Sequence, residues 1–184
     1  MKKILNFIFE TGNLKNIKRS GWANINVKNP ETIAEHSFRC AIIGYLLSKM
    51  ENVNTEKVVI MCLFHDTGET RIGDFNALTK KYLKNYKKIE ESVLMDQIKD
   101  LEEKELIALI REYVNGKTKE SVVAKDADAL ECAIQAKEYM DIGHKRAKIW
   151  IYTVKKNVKT ESAKKILSLL EKSDSNFWWK DLLK

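Results

Sequence analysis

Proline, cysteine and histidine are all scarce in this sequence. Its 184 residues include one proline, three cysteines and three histidines. A single proline and seven glycines are typical of long helices joined by short loops. The cysteines are widely spaced and form no C-x-x-C pair, which argues against a disulfide framework and against a cysteine-based zinc site. Each lies in an apolar stretch, where a free cysteine behaves as a small hydrophobic residue.

Long apolar runs are also missing. No run approaches the roughly 20 residues that a helix needs to cross a bilayer. The N-terminal apolar stretch is interrupted at Glu10 and lacks a small-residue cleavage pattern, so it is predicted to be an amphipathic helix rather than a signal peptide. We therefore expect a cytoplasmic protein. The length suits one domain that spans residues 1–184.

Basic residues outnumber acidic ones, and the formal net charge is +7. Such an excess suits an anionic partner, for example a nucleic acid or a nucleotide phosphate. The lysines are nevertheless dispersed among acidic residues, which is typical of solvated helix faces. Because a nucleic-acid-binding module needs a clustered basic face, the charge alone does not favour one.

Apolar residues recur at helical spacing through most of the chain, and no segment alternates as a β-strand does. The sequence therefore predicts an all-α fold. Asn29, Pro30 and Glu31 are predicted to start a long helix, since capping Asn and first-turn Pro are favoured there. Asn54 is predicted to cap the next one. The predicted helices are at residues 2–11, 29–50, 54–66, 77–83, 85–99, 102–114, 118–141, 145–158 and 161–172.

An aromatic segment, Phe177-Trp178-Trp179, follows the last predicted helix. Paired tryptophans at this position could bind a partner, but they more often pack back on the protein. We expect packing here, either against the body of the chain or at a dimer interface.

The pair His65-Asp66 directly follows the strongly apolar run 58–64. Because that run favours burial, the imidazole and the carboxylate should be carried to the core. A buried carboxylate without a partner is costly. A cation or a dense set of hydrogen bonds is therefore expected beside Asp66.

Two other segments contain groups that could meet this pair. His36 lies one helical turn from both Ile33 and Cys40, so it is predicted to face the core with them. Asp126 and Asp128 interrupt an apolar part of a later helix, and either could border the core. Two imidazoles and two carboxylates suit a divalent cation with open positions for water, rather than a closed tetrahedral zinc site. Taken singly, each residue also has an ordinary explanation as a core histidine, a helix-end carboxylate or half of an ion pair.

Four segments occur together in the order of a known family. They are Arg19-Ser20-Gly21-Trp22, Pro30-Glu31-Thr32-Ile33-Ala34-Glu35-His36-Ser37, His65-Asp66-Thr67-Gly68-Glu69 with Gly73-Asp74, and Lys125-Asp126-Ala127-Asp128 with Gln135-Ala136-Lys137-Glu138-Tyr139. This set resembles the HD-domain superfamily of metal-dependent phosphohydrolases. Within it, the set is similar to the 5′-deoxynucleotidases and the related HD domain-containing protein 2 (oxetanocin-like) group. The resemblance covers about residues 10–140, and the helices beyond it would complete the bundle or a dimer interface.

The resemblance implies a helical bundle with one divalent metal ion (Mn, Co, Mg, Ni or Fe) between its central helices. The implied ligands are His36, His65, Asp66 and Asp128. Asp128 is preferred to Asp126 because it occupies the family's place before the last matched segment. Residues two apart on a helix point in different directions, so only one of the two should bind metal. Asp126 is then expected to face solvent or to pair with a lysine.

The resemblance also implies roles for four further residues. Glu69 matches an acid that positions or deprotonates the attacking water, and Asp74 matches a carboxylate near the sugar or the leaving oxygen. Arg19 suits a phosphate clamp, because its guanidinium presents a planar fork of donors. Trp22 would wall the sugar and help to sense the absence of a 2′-hydroxyl. Each also has an ordinary explanation, as a turn cap, an ion pair or a core aromatic.

The implied activity is hydrolysis of a nucleoside 5′-monophosphate, in the deoxy form, to nucleoside and phosphate by a homodimer. Glu131 and Met140 depart from the family's pattern outside the ligand positions and leave the substrate preference open. Another phosphohydrolase of the superfamily, either a phosphodiesterase or a nucleotide triphosphohydrolase, is the first alternative. A non-catalytic metal- and nucleotide-binding protein is the second.

Overall fold

The computed structural model describes residues 1–101 and 103–183, and the regular elements in these ranges are helices. The all-α prediction is confirmed. The helices are α1 (Lys2–Gly12), α2 (Ile33–Met50), α3 (Thr55–Phe64), α4 (Glu69–Ile72), α5 (Ala77–Tyr82), α6 (Tyr86–Ile98), α7 (Lys104–Asn115), α8 (Lys119–Asp141), α9 (Lys148–Asn157), α10 (Glu161–Leu170) and α11 (Phe177–Lys180). The start predicted at residue 102 lies outside the described ranges. Within them, no helix is both long and apolar enough to span a membrane.

The long helix α8 lies at the centre of the fold. It packs against α2, α3, α7, α9 and α10. Four of its ten buried residues are alanines, including Ala127 and Ala133, so neighbouring helices can approach closely there. The helices α2 and α3 are also in close contact, since a Cβ placed on Gly44 of α2 would lie 2.7 Å from the Cys62 sulfur of α3. The crossing of α2, α3 and α8 forms the main core.

Helix α2 begins later than the sequence predicted. The Thr32 hydroxyl accepts a hydrogen bond from the Glu35 backbone N–H at 3.2 Å, and the Glu35 carboxylate accepts one from the Thr32 backbone N–H at 2.6 Å. This reciprocal capping box satisfies two backbone donors at the helix start. The predicted start at Asn29 is therefore wrong, and Asn29 lies in the preceding loop. The cap predicted at Asn54 is confirmed, because its side chain accepts from the Lys57 N–H.

Asp126 connects α8 to the start of α10. Its carboxylate accepts hydrogen bonds from the backbone N–H groups of Lys159 at 3.0 Å and Thr160 at 2.7 Å, and from the Thr160 hydroxyl at 2.7 Å. The side chain is buried. The prediction that Asp126 faces solvent or pairs with a lysine is wrong, because the loop before α10 covers this side of α8.

The aromatic tail is largely exposed at two of its three rings. Phe177 and Trp178 are 65% and 72% exposed, and Trp179 is 39% exposed. The Trp179 indole N–H donates to the Asn176 side chain, so its hydrogen bond is local. The prediction of packing against the body is wrong for Phe177 and Trp178, since the short helix α11 leaves both rings in contact with solvent. Packing at a dimer interface stays a prediction.

Replacement of Asp126 should weaken the fold without removing a metal ligand. In Asp126→Ala, buried N–H groups at the start of α10 lose their acceptor, and we expect the free energy of unfolding to fall by about 1–3 kcal/mol. Urea denaturation followed by circular dichroism measures this loss. Glu161→Ala, on the exposed face of the same junction, is the matched control. Loss of bound metal from a still-folded Asp126→Ala would contradict the assignment of Asp126 to structure.

Candidate metal centre

Two histidines and two aspartates meet where α2, α3 and α8 cross. His36 lies on α2, His65 and Asp66 directly follow α3, and Asp128 lies on α8. Nε2 of His36 is 3.2 Å from Asp128 Oδ1 and 3.7 Å from Asp66 Oδ2. Nε2 of His65 is 3.2 Å from Asp66 Oδ2 and 3.8 Å from Asp128 Oδ1. The structure thus brings the four predicted ligands together, and we call them the His-Asp cluster.

The second nitrogen of each imidazole is already engaged. Nδ1 of His65 lies 2.9 Å from the Cys62 carbonyl oxygen, and Nδ1 of His36 contacts the Glu131 carboxylate. Both acceptors require an N–H at Nδ1, which leaves Nε2 to offer a lone pair. Both Nε2 atoms are buried and have no hydrogen-bond partner in the described part of the chain. Buried, convergent lone pairs beside carboxylates fit a divalent metal ion.

The charges of the His-Asp cluster depend on one another. Burial raises the pKa of Asp128, but its contacts with His36 and His65 outweigh burial and hold that pKa well below its usual range. Burial also raises the pKa of Asp66, but the charge of His65 outweighs burial and lowers that pKa to about 2. Burial lowers the pKa of His65, yet Asp66 and Asp128 raise it well above its ordinary value. The two aspartates are therefore ionised and attract positive charge, either protons on the imidazoles or a metal ion.

Cys40 also lies close to both imidazoles. It is fully buried, and burial together with the neighbouring Cys62 raises the pKa of its thiol well above the usual value. Because the thiolate is the form that binds metals, this cysteine does not suit a ligand position. It serves as a core residue at the contact of α2 with α3, as the sequence indicated.

Glu131 on α8 is the functional residue that the sequence analysis missed, having noted it only as a departure from the family's pattern. It is fully buried, contacts His36 Nδ1, and accepts a hydrogen bond from Arg39 Nε at 2.9 Å. The Arg39 guanidinium donates further to two side chains of α8, at 2.7 Å each: Gln135 and Glu138. This network fixes the His36 ring. The sequence held a signal for this network. Arg39 lies three residues after His36, and Glu131 lies three residues after Asp128, so each pair shares one face of a helix that was predicted to border the core.

Glu69 lies at the start of α4 beside the His-Asp cluster. It is 5% exposed, and Oε2 has no hydrogen-bond partner within residues 1–101 and 103–183. Burial, followed by the charges of Asp66 and Asp74, raises its pKa to about 10. The charges of Arg19 and His65 oppose this shift without reversing it, so Glu69 without a bound metal ion favours its protonated form. A bound divalent ion would favour its carboxylate form.

Asp74 and Arg19 come from two loops that are bound to each other. Asp74 Oδ2 accepts from the Ser20 backbone N–H at 2.6 Å and from its hydroxyl at 2.7 Å. Arg19 Nη1 is 3.4 Å from Asp66 Oδ2. The Arg19 guanidinium is thus held beside the His-Asp cluster, as a phosphate clamp requires.

Trp22 lies in the core and not on a surface that a sugar could reach. It is 1% exposed and packs on Tyr139 and Trp150, with ring centroids 5.0 and 4.6 Å away. Its indole N–H donates to Glu31 at 3.1 Å. The predicted sugar wall at Trp22 is therefore corrected: the ring supports the segment that carries Arg19, because neighbouring aromatics bury it.

A cleft of about 380 Å³ opens beside the His-Asp cluster. This volume lies within the range of about 300–1,000 Å³ that is usual for small-molecule sites. His65, Asp66, Glu69 and Asp128 line one part of the cleft. The rest of the lining includes basic and aromatic side chains together with two further carboxylates: Lys80, Tyr86, Lys87, Tyr113, Lys125, Glu90 and Glu91.

Comparisons with known proteins agree with this arrangement. Residues 11–170 match the sequence model of a family described as HD domain. The 5′-deoxynucleotidase HDDC2 of Dictyostelium discoideum is 34% identical over 149 residues, which cover 76% of this chain and 78% of that protein. The human 5′-deoxynucleotidase HDDC2 is 32% identical over 152 residues, covering 80% and 74%. A solved structure of a conserved hypothetical protein from Pyrococcus furiosus is 31% identical, with a TM-score of 0.78 and coverage of 92% and 99%.

Glu131→Gln should weaken metal binding while the fold is retained. The amide carries no charge to support His36 Nδ1–H, and such supporting partners typically contribute about 10- to 100-fold in metal affinity. Titration calorimetry with Mn²⁺ or Co²⁺ on the metal-free protein measures the change. Glu138→Gln is the matched control, since Glu138 contacts Arg39 but not His36. Equal affinities for Glu131→Gln and the unmodified protein would refute the positioning role.

Proposed function

Since this chain belongs to the HD-domain family, we propose that it is a metal-dependent phosphohydrolase that acts on deoxynucleoside 5′-monophosphates. The products would be a nucleoside and inorganic phosphate. Relatives named 5′-deoxynucleotidase match about three quarters of the chain or more, which supports this substrate class. The observation that carries the proposal is the pair of buried, unpartnered Nε2 atoms beside two ionised aspartates at a nucleotide-sized cleft.

We propose that His36, His65, Asp66 and Asp128 hold one divalent ion, with Mn, Co, Mg, Ni and Fe as candidates. Bound there, such an ion supplies Lewis acidity toward a phosphoryl oxygen and toward water. The Asp128 side chain is 35% exposed and lines the cleft, so the site would open on that side. An open side suits catalysis better than a closed structural site.

The protein's own groups would complete the chemistry. Glu69, as the carboxylate, would orient the attacking water and accept its proton. Arg19, beside Asp66, would balance the charge that develops on the phosphoryl group. Asp74 would act on the sugar side, near the leaving oxygen. Its charge raises the pKa of Glu69, and the hydrogen bond from Ser20 fixes its position. Phosphoryl transfer depends mostly on such positioning and electrostatic stabilisation.

Phosphate release from a nucleotide panel tests the proposal. The protein is stripped with a chelator and reloaded with one metal at a time. We expect deoxynucleoside 5′-monophosphates to be cleaved, and Glu69→Gln to lower kcat by about 10²- to 10⁴-fold while metal content is retained. Glu105→Gln, on the exposed face of α7, is the control. Release of pyrophosphate or triphosphate, or cleavage of diesters only, would favour the other phosphohydrolases; no release with any metal would contradict the proposal.

We also propose a homodimer, supported by an exposed apolar stripe on α2. Its members recur at helical spacing: Phe38, Ile42, Tyr45, Leu46 and Met50. Contiguous apolar surface of this kind often marks an interface between proteins.

The packing of α9 and α10 on α8 supports the assignment of residues 1–184 to one domain. The cytoplasmic location stays a prediction.

A charge on the α2 stripe should dissociate the dimer. We expect Ile42→Glu to shift the mass from dimer to monomer, because a carboxylate would be desolvated at the interface. Light scattering coupled to size exclusion measures the mass. Tyr152→Glu, at an exposed aromatic of α9, is the control. A monomeric unmodified protein, or a dimeric Ile42→Glu, would contradict this interface.

A further inference from the structure

Among residues 1–101 and 103–183, two ammonium groups that line the cleft make no ion pair with a carboxylate. Lys80 pairs with Glu90 at 3.3 Å. In contrast, no ion pair joins Lys87 of α6 or Lys125 of α8 to a carboxylate in the described ranges. Glu91 also lines the cleft, one turn after Lys87, and makes no ion pair with it there. We call Lys87 and Lys125 the lysine pair.

Lys125 is held in a fixed position. Its Nζ donates to the Val114 carbonyl oxygen at 3.2 Å and lies 5.3 Å from the centre of the Tyr113 ring. A Cβ on Gly116 would lie only 2.5 Å from this Nζ, so the ammonium group rests against the glycine. An ammonium has three donors, and two remain for a ligand.

The lysine pair and the His-Asp cluster line the same cleft. Tyr113 contacts both groups: its ring centroid is 5.5 Å from that of His65, and Lys125 Nζ lies over the same ring. A ligand in this cleft can therefore reach the pair and the cluster together. Burial lowers the pKa of Lys125; repulsion from Lys87 and Lys159 lowers it further, and the charge of Asp128 raises it. A bound anion would relieve that repulsion.

We propose that Lys87 and Lys125 form a second anion subsite, which binds a phosphate group other than the one that is hydrolysed. This inference rests on the proposed function, in which Arg19 and the His-Asp cluster already account for the scissile phosphate. The preferred ligand is then a deoxynucleotide with a second phosphate. That phosphate can be carried on the 3′ oxygen or in a 5′ diphosphate chain, and both present the same dianionic chemistry to the two lysines.

Calorimetric binding to the metal-loaded protein tests the subsite. Four ligands are compared: the 5′-monophosphate, 3′-monophosphate, 3′,5′-bisphosphate and 5′-diphosphate of 2′-deoxyadenosine. A Glu69→Gln background suppresses turnover. We expect a second phosphate, in one of its two positions, to tighten binding about 10-fold over the 5′-monophosphate. The better of the two ligands identifies the position of that phosphate.

Lysine variants then show whether Lys87 and Lys125 cause the tighter binding of the second phosphate. Lys87→Ala and Lys125→Met should each remove most of the 10-fold advantage and leave 5′-monophosphate affinity unchanged. Lys88→Ala, exposed on α6 and outside the cleft lining, is the matched control. Because Lys87 is exposed, its variant should fold even if Lys125→Met does not.

Two results would overturn the subsite: no advantage for a second phosphate, or an equal loss of 5′-monophosphate affinity in the lysine variants. The latter would place the scissile phosphate at the lysine pair. The 3′-monophosphate arm separates this inference from the proposed activity, because that ligand has no 5′ ester. Lysine-dependent 3′-monophosphate binding, together with no phosphate release by the metal-loaded protein that retains Glu69, would keep the subsite and refute the nucleotidase.

Discussion

The structure is organised around partly buried negative charge at the crossing of α2, α3 and α8. Asp66 and Asp128 are held ionised next to His36 and His65, in a place that is costly for unbalanced charge. Glu131 adds a further buried carboxylate behind His36, and Arg39 neutralises it. The arrangement persists because each charge has a partner, and it leaves the two Nε2 lone pairs directed toward one place.

The surrounding segments are organised around that crossing. Ser20 binds Asp74, and this contact holds the Arg19 loop against the segment that carries Glu69. On the other side, Glu31 accepts from Trp22 and donates its backbone N–H to the Tyr139 hydroxyl, which anchors the same loop to α8. Burial and the nearby Glu131 raise the pKa of Glu31 to about 7. The Arg19 loop is thus positioned by buried polar contacts as well as by apolar packing.

The sequence predicted the parts of the structure that local patterns control. Helical periodicity gave the all-α fold, and the ordered segments identified the cluster of His36, His65, Asp66 and Asp128 that the structure brings together. Features that depend on tertiary contacts were not predictable in the same way. Asp126, for example, finds its partners in a loop distant along the chain. The start of α2 was misplaced for a different reason: Thr32 and Glu35 form a local capping box three residues after the Asn29-Pro30 signal that the prediction followed. Trp22 and the cleft lysines acquire their surroundings only when α6, α8 and α9 pack.

We propose above that the His-Asp cluster holds a single metal ion, and anomalous diffraction from a crystal of the protein loaded with Mn²⁺ is the most direct test. We expect one strong peak bonded to Nε2 of His36, Nε2 of His65, and carboxylate oxygens of Asp66 and Asp128. A peak between Glu31 and Glu131, a peak at the Cys40 sulfur, or a peak from which Asp128 is turned away would contradict it.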